Sequence, residues 1–235
     1  LQQDGIVFGS DFERFSFRVN MDNDINKWLT TGLRASVART KQTNSVDGSG
    51  AIYNALNQLP EVPARNPDGS FGMQTENMYG TYFSNPLSDL IQNENYSRST
   101  QVYVNAFADI KLWKGLVFRT EYAANYNYNT GYRFTPSYDY EFFKQQSSAS
   151  RSAGNGSNWT LKTYLTYNGT FGKHNVSVMA GHEAQENNWE SLDGSRTNFL
   201  FNSVHELNAG DATTAKANSS RGSSAIESYF GRLNY

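Results

Sequence analysis

Strict alternation of apolar and polar residues, repeated in segment after segment, is the feature that most restricts the fold of this chain. Side chains of a β-strand point in turn to its two faces, so a period of two predicts strands with unlike faces. Residues 14–22 and 28–40 show the pattern first, and it returns in residues 99–112, 116–129, 158–171, 174–185 and 228–235. The alternation therefore predicts about seven strands.

The connections between these strands are of two kinds. Very short turns join them in pairs, at Asn26-Lys27, at 113–115 and at Gly172-Lys173. The other connections are long and rich in loop-forming residues, and they cover 42–97, about 130–158 and about 190–225, with a short helix expected at Gly50–Asn57. Loops longer than about 12–15 residues are uncommon in compact domains, but transmembrane barrels have short periplasmic turns and long extracellular loops.

The predicted fold class is therefore all-β, an antiparallel transmembrane β-barrel segment of about seven strands with short periplasmic turns and long extracellular loops. A soluble β-sandwich also alternates and remains the alternative, although its buried face is usually richer in aliphatic residues. Each short turn places an aromatic residue beside a lysine, a combination that membrane interfaces favour.

The composition supports strands that have one polar, hydrated face. Hydrophobic residues make up 37% of the chain and the mean hydropathy is −0.66, yet aromatic residues reach 14%, which disordered chains do not show. The segment EYAANYNYNTGY, from Glu121 to Tyr132, alternates aromatic and amide side chains. In a barrel strand, Tyr126 and Tyr128 would lie in an aromatic girdle while the asparagines between them point into water.

Several function classes lack support in the sequence. The net charge is −2 without a basic stripe, so nucleic-acid binding is not expected. The chain has no cysteine and no apolar run long enough for a membrane helix. His174 and His182 stand eight residues apart, about 27 Å along a strand, too far to share a metal. We therefore predict no enzyme activity, no metal site and no cofactor.

Four segments resemble the SusC/RagA type of TonB-dependent transporter from the outer membranes of Bacteroidetes. RFSFRVNMDNDINKWLTTGLRASVARTK (Arg14–Lys41) is similar to a barrel hairpin of that family, and LPEVPARNPDGSFG (Leu59–Gly72) to an extracellular loop. GKHNVSVMAGHEAQE (Gly172–Glu186) resembles a barrel strand, and SSAIESYFGRLNY (Ser223–Tyr235) resembles the entry to another. His182 departs from the family, in which an aromatic residue is more usual at that position.

The resemblance implies both a place in a larger protein and a function. Residues 1–235 would be part of one TonB-dependent receptor β-barrel domain of about 22 strands, with the plug domain and the remaining strands outside this sequence. Such proteins import oligosaccharides or peptides across the bacterial outer membrane, so outer-membrane lipid surrounds them. A SusD-like surface lipoprotein covers them outside, and the TonB complex supplies energy.

Residues on the polar side of the strands, near the long loops, are the candidates for lining the path of a glycan or peptide substrate. They are Tyr103, Asn125, Asn127, Asn129, Lys162 and Glu183. Amide groups and aromatic faces suit sugars and peptides. The alternative for each residue is that it only lines a hydrated lumen or touches the plug. The charged residues lower in the lumen, Arg34, Asp109, Arg119 and Glu121, are expected to pair with one another or with the plug.

A second function from a different class stays open at this point. The chain could be a stand-alone β-rich binding or adhesion module, either a soluble sandwich or a small outer-membrane barrel. An open sheet of seven strands would leave two unpaired edges in lipid, which the bilayer does not tolerate. If the membrane interpretation is right, the isolated piece is expected neither to insert stably nor to transport.

Overall fold

The computed structural model describes residues 1–44, 48–75, 78, 80, 82–140 and 143–235. The elements in chain order are β1 (Gln2–Asp4), β2 (Asp11–Asn26), β3 (Leu29–Thr43), α1 (Gly48–Asn57), α2 (Pro86–Gln92), β4 (Glu94–Trp113), β5 (Leu116–Thr135), β6 (Tyr138–Tyr140), β7 (Phe143–Gln145), β8 (Ser148–Phe171), β9 (His174–Thr197) and β10 (Lys216–Asn234). Two short 3-10 helices, Leu207–Ala209 and Ala212–Thr214, precede β10.

One antiparallel sheet contains all of the long strands. Its order is β1-β2-β3-β4-β5-β8-β9-β10, while β6 and β7 form a separate pair. The predicted all-β, antiparallel fold is confirmed, and the seven predicted strands correspond to the seven long ones. The prediction missed β1, β6 and β7 because three residues are too few to show a period of two.

Turns of two residues connect the long strands at one end of the sheet. They are Lys27-Trp28, Lys114-Gly115 and Gly172-Lys173. Gly115 and Gly172 have φ values of 78° and 63°, a left-handed conformation that glycine adopts without strain. The first turn contains no glycine and is held by the Asn26 side chain. Its Oδ1 accepts hydrogen bonds from the backbone N–H groups of Trp28 and Leu29, both at 2.9 Å. The predicted tight turns are therefore present.

The long strands extend further toward the other end than the sequence predicted. Residues about 130–158 and about 190–225 were expected to be loops, but β5 continues to Thr135, β8 begins at Ser148, β9 ends at Thr197 and β10 begins at Lys216. Their Gly, Ser and Asn residues are poor strand formers, but each of these extensions lies in continuous antiparallel register with a neighbour. Backbone pairing therefore overrides the composition. The helix expected at Gly50–Asn57 is present as α1.

The register assigns every side chain of the sheet to one of two faces, because directly opposed residues share a face. On what we call the apolar face, Leu33 lies opposite Ala106, Ala106 opposite Tyr122, and Tyr122 opposite Leu161. On the polar face, the neighbouring residues bring Lys162 opposite both Glu121 and Glu183. The two unlike faces predicted from the alternation are confirmed.

Among the residues that the structure describes, no second layer covers the apolar face of the sheet. Phe15 and Phe17 remain 70% and 60% exposed, and Tyr122, Leu165 and Val178 are also exposed. The buried hydrophobic residues among those described are Ala51, Val62, Tyr132, Phe134, Ala149 and Phe199. Four of them form one cluster at the loop end of the sheet, where the segment before β10 folds back onto β5 and β8. A soluble protein rarely leaves an apolar surface of this extent bare.

His182 lies on the apolar face, as its parity with Val178 and Ala180 predicted. Its Nε2 atom is 2.8 Å from Glu227 Oε1, and the Tyr229 hydroxyl donates to the same carboxylate oxygen at 3.1 Å. Glu183, the next residue, points to the polar face and pairs with Lys162. The histidine therefore does not form a dyad with its acidic neighbour.

The long connection between β3 and β4 is held together by Asn85. Its Oδ1 caps α2 by accepting from the N–H groups of Leu87 and Ser88, and its Nδ2 donates to the carbonyl oxygens of Ala64 and Gly72. Burial raises the pKa of the nearby Asp89 carboxyl, which accepts a hydrogen bond from the Ser84 hydroxyl. No helix in the described part of the chain is long and apolar enough to cross a membrane.

Candidate functional site on the polar face

A belt of ion pairs crosses the polar face nearer to the tight turns. Arg34 pairs with Asp22 at 3.3 Å, and Arg119 pairs with Asp109 at 3.3 Å and with Glu121 at 3.7 Å. The prediction that these lower charged residues pair with one another holds for Arg119, Asp109 and Glu121. Arg34 takes Asp22, a partner that the sequence analysis did not name. The belt continues through Lys162 and Glu183, 3.1 Å apart.

The Phe107 ring is held between two guanidinium groups of this belt. The Arg119 and Arg34 guanidinium carbons lie 4.1 and 5.1 Å from its centroid, within the range of cation–π attraction. Gly32 stands directly opposite Phe107 in β3. A Cβ atom at this glycine would lie 2.0 Å from the Phe107 ring and 2.6 Å from Asp22 Oδ1. The ring therefore occupies the space that the missing side chain leaves.

Substitution of Gly32 by alanine is expected to destabilise the full-length protein by about 1–3 kcal/mol, the usual cost of overpacking. The cost should fall in the Phe107→Ala background, because the clashing ring is gone. Unfolding midpoints of the single and double variants in detergent measure both effects. Gly194→Ala in β9 is the matched control, since a Cβ there meets its nearest atom at an ordinary 3.4 Å. If Gly32→Ala lowers the stability of the Phe107→Ala variant as much as that of the wild type, the proposed packing of the ring against Gly32 is wrong.

Amide side chains gather on the polar face above the belt. Asn125 lies opposite Asn158, which lies opposite Asn187, so three neighbouring strands present an amide at one level. We call the following set the amide patch: Gln101, Asn125, Asn127, Asn129, Asn158 and Asn187. Gln101 donates to Asn125 Oδ1 at 3.3 Å. Each amide can both donate and accept hydrogen bonds, so the patch offers directional contacts without net charge.

The structure places all six predicted site residues on the polar face but separates them into two groups. Tyr103 lies directly opposite Asn125, and Asn127 and Asn129 follow along β5 at steps of about 7 Å. Lys162 lies opposite Glu121, four residues and about 14 Å nearer to the turns. Lys162 and Glu183 satisfy each other, so the geometry favours Tyr103 and the asparagines as the groups free to meet a ligand.

Trp189 is a part of this surface that the sequence analysis missed. It lies opposite Gly156, which lies opposite Asn127, so it borders the amide patch from β9. The indole covers Gly222 of β10, where a Cβ would approach it to 2.5 Å, and it remains 49% exposed. Its parity with Glu183 was the available signal, but β9 was expected to end before this residue. Asn158 and Asn187 were missed because only the register brings them beside Asn125.

The three histidines and the acidic side chains of the described residues are spread over separate contacts. Across the residues that the structure describes, no group of three His, Asp or Glu side chains is placed to hold a metal ion. His174 contacts the Tyr235 hydroxyl and His205 contacts Glu94, so the histidines lie far from the amide patch in separate contacts. The amides of the patch present hydrogen-bond donors and acceptors of the kind that an uncharged polar ligand needs.

Comparison with known proteins supports the resemblance seen in the sequence motifs. The chain is 28% identical to TonB-dependent receptor P3 of Formosa agariphila over 242 residues, which is 99% of this chain and 24% of that protein. TonB-dependent receptors P26 and P39 of the same organism are 26% and 27% identical over 99% and 100% of the chain. The chain spans about a quarter of the length of these relatives. No family model matches it.

Solved structures give the same result for the fold. The RagAB peptide importer in its closed-closed state superposes with a TM-score of 0.77 at 20% identity, covering 96% of this chain and 26% of that one. The open-open state of the same importer gives a TM-score of 0.78. The fold is thus similar to part of RagAB, and with the curated relatives it confirms the predicted resemblance to the SusC/RagA type of TonB-dependent transporter.

Proposed function

We propose that residues 1–235 form part of the β-barrel domain of an outer-membrane TonB-dependent importer that takes up nutrients. One observation carries the proposal: a sheet whose apolar face is exposed from Phe15 to Leu233 and whose opposite face carries ion pairs and amides. Barrel strands need this division, with lipid on one side and a polar lumen on the other. The curated relatives that match 99% of this chain are TonB-dependent receptors, which supports the same assignment.

The substrate class proposed is oligosaccharides or peptides. The amide patch, Tyr103 and Trp189 combine hydrogen-bonding groups with flat aromatic faces, which suits sugar rings and peptide planes. The structural neighbour RagAB is a peptide importer, which supports peptides as one of the two options. Lys162 and Glu183 are proposed to stabilise the lumen wall rather than to contact substrate, because they neutralise each other.

The proposed partners are a SusD-like surface lipoprotein at the loop end, the TonB complex on the periplasmic side, and outer-membrane lipid around the apolar face. The support for the first two is the resemblance to the SusC/RagA type. The loop end is structured enough to present a surface, since Asn85 ties the start of α2 to two loop carbonyls. Import rather than catalysis is the proposed activity.

The alternative, a stand-alone binding or adhesion module, fits the structure less well. A soluble sandwich would need a second layer over Phe15, Phe17 and Leu165, and none covers them among the described residues. A small complete barrel would need β1 or β2 to pair with β10, whereas these strands form the two opposite edges of the described sheet.

Growth tests on defined nutrients address the proposal directly. A strain of the source bacterium that lacks the full-length gene should lose growth on a subset of oligosaccharides or peptides supplied as sole nutrient, and the wild-type gene should restore it. Cell fractionation should place the protein in the outer membrane. A protein found outside the membrane fraction, with no nutrient defect in the deletion strain, would rule out the proposed function.

The amide patch is tested by the triple substitution Asn125→Ala, Asn127→Ala and Asn129→Ala in the full-length protein. With each lost hydrogen bond costing about 0.5–1.5 kcal/mol, the affinity for the transported nutrient should fall at least about tenfold. Equilibrium binding by the purified protein measures this.

The matched control replaces amides of the opposite face, Asn155→Ala with Asn188→Ala. These side chains donate to Glu190 and Glu186 on the apolar face and should not affect nutrient binding. Equal losses in the patch variant and the control would show that the patch does not contact the ligand.

A further inference from the structure

Three cationic side chains form a cluster on the apolar face, just above its hydrophobic residues. Lys41 of β3 lies directly opposite Arg98 of β4, and Arg39 precedes Lys41 by two residues on the same face. Val37 comes next below Arg39, and Phe15 lies opposite Arg39 in β2. We call Arg39, Lys41 and Arg98 the cationic notch. Its position on this face means that it points away from the amide patch.

The notch lacks the acidic partners that the cations of the ion-pair belt on the polar face have. Among the ion pairs of the described residues, none involves Arg39, Lys41 or Arg98. Glu13 lies opposite Lys41 from β2 without forming an ion pair, and Glu94 is engaged by His205. Like charges directly opposite each other across two strands are destabilising, so Lys41 and Arg98 favour an anion between them.

The surface at the notch is concave and combines a cationic part with an apolar part. An open cavity of about 610 Å³ is lined by the three cations of the notch, by a fourth cation, Arg14, and by Glu13, Phe15, Thr40 and the start of the chain. Arg98 is partly fixed in place, since its guanidinium carbon lies 5.0 Å from the centroid of the Tyr96 ring. Below the cavity run Phe15, Phe17 and Val37, all exposed. A ligand fitting this surface has an anionic group joined to an apolar chain.

The height of the notch on the strands matches a membrane surface. Lys41 follows Leu29, the first residue of β3, by 12 residues. A tilted strand needs about 9–11 residues to cross the hydrocarbon layer, so Lys41 and Arg98 lie just beyond it on the loop side. Cations at that depth meet lipid headgroups, where each is worth about 1 kcal/mol against anionic lipid.

We propose that the cationic notch binds the phosphate of a lipid headgroup, with the acyl chains of the same lipid lying along Phe15, Phe17 and Val37. The proposal rests on the proposed function only in that the apolar face must lie in a membrane. The phosphate would bridge Lys41 and Arg98, and Arg39 would contact it from below. The bound lipid would thereby remove the repulsion between the two opposed cations.

Titration of the full-length protein with phosphatidic acid in an uncharged detergent, followed by native mass spectrometry, tests the proposal. The double substitution Lys41→Gln with Arg98→Gln should weaken binding roughly 25-fold, since two cations are lost. Diacylglycerol, which lacks the phosphate, should bind poorly to the wild-type protein. The matched control is Arg18→Gln with Arg133→Gln, two cations on the polar face of β2 and β5 that do not line the cavity, and it should bind like the wild type.

The outcomes separate this inference from the proposed function. Unchanged phosphatidic acid binding in the Lys41/Arg98 variant, or an equal loss in the Arg18/Arg133 control, would overturn the proposed binding of lipid phosphate at the notch. Inorganic phosphate displacing the lipid at equal concentration would instead define a free-anion site and also overturn it. Heat-dependent gel mobility confirms that each variant is folded. If the wild-type protein binds no lipid but nutrient uptake persists, only the lipid-binding inference is wrong. If the protein is absent from the membrane fraction, both that inference and the proposed function are wrong.

Discussion

Expressed alone, residues 1–235 are expected to yield no heat-resistant monomer in detergent. The chain exposes 15638 Å² of surface in its folded form, whereas a compact monomer of its 26.4 kDa mass exposes roughly 10,600 Å². Its described buried hydrophobic residues are concentrated at the loop end, so the long strands have little packing of their own. In the proposed barrel, the stability of this sheet would come from lipid on one face and from further strands at its edges.

Gel mobility with and without heating measures this expectation, with the full-length protein as the control. The full-length protein should run compactly until it is boiled, and the isolated chain should run as unfolded in both samples. Amide exchange adds a second readout, because strands near the open edges should exchange quickly when nothing pairs with them. A compact, heat-sensitive monomer made from residues 1–235 alone would contradict the expectation and favour the stand-alone module.

The alternation made the two faces of the sheet predictable, since face assignment depends only on odd and even positions within a strand. Tyr103, Asn125 and Glu183 could thus be placed on one face without a structure. Tight turns were predictable for a similar reason, because glycine and lysine at 114–115 and 172–173 interrupt the pattern locally. Both features depend only on residues that are close together in the sequence.

Features that depend on the register between strands were not predictable in this way. Asn158 and Asn187 join Asn125 only because 20 and 24 pairs of residues fix β8 against β5 and β9. The Phe107 and Gly32 contact likewise needs the alignment of two strands whose facing residues are 75 positions apart in the chain. A shift by one residue would move every one of these side chains to the other face.

The positions of the strand ends were also not predictable, and two residues used in the proposals lie there. Trp189 lies beyond the predicted strand 174–185 and Arg98 just before the predicted strand 99–112, although both are paired within strands. Above the membrane a strand no longer needs apolar side chains on its outer face, so the alternation fades while the backbone pairing continues. The amide patch and the cationic notch lie in or next to these extensions.

A single charge on the apolar face should separate a membrane sheet from any other interpretation. Leu165 is exposed on that face, opposite Phe118 and Ala180, six residues before the end of β8. That distance is about 20 Å along the strand, which a tilt of about 45° reduces to a height of about 14 Å, near the middle of an apolar band about 25 Å tall. Leu165→Arg in the full-length protein should therefore cost about 2–4 kcal/mol of folding free energy in lipid.

Thr166→Arg is the matched control, because it places the same charge at the same depth on the polar face. Thr166 lies opposite Val117 and Met179, on the side that a hydrated lumen would wet, so the expected cost is below about 1 kcal/mol. Denaturant unfolding of both variants in liposomes measures the difference. Because a soluble surface would tolerate arginine at Leu165 as readily as at Thr166, equal and small costs would show that this face does not contact lipid. A large cost at Leu165 alone requires a hydrocarbon environment on one side of the sheet only.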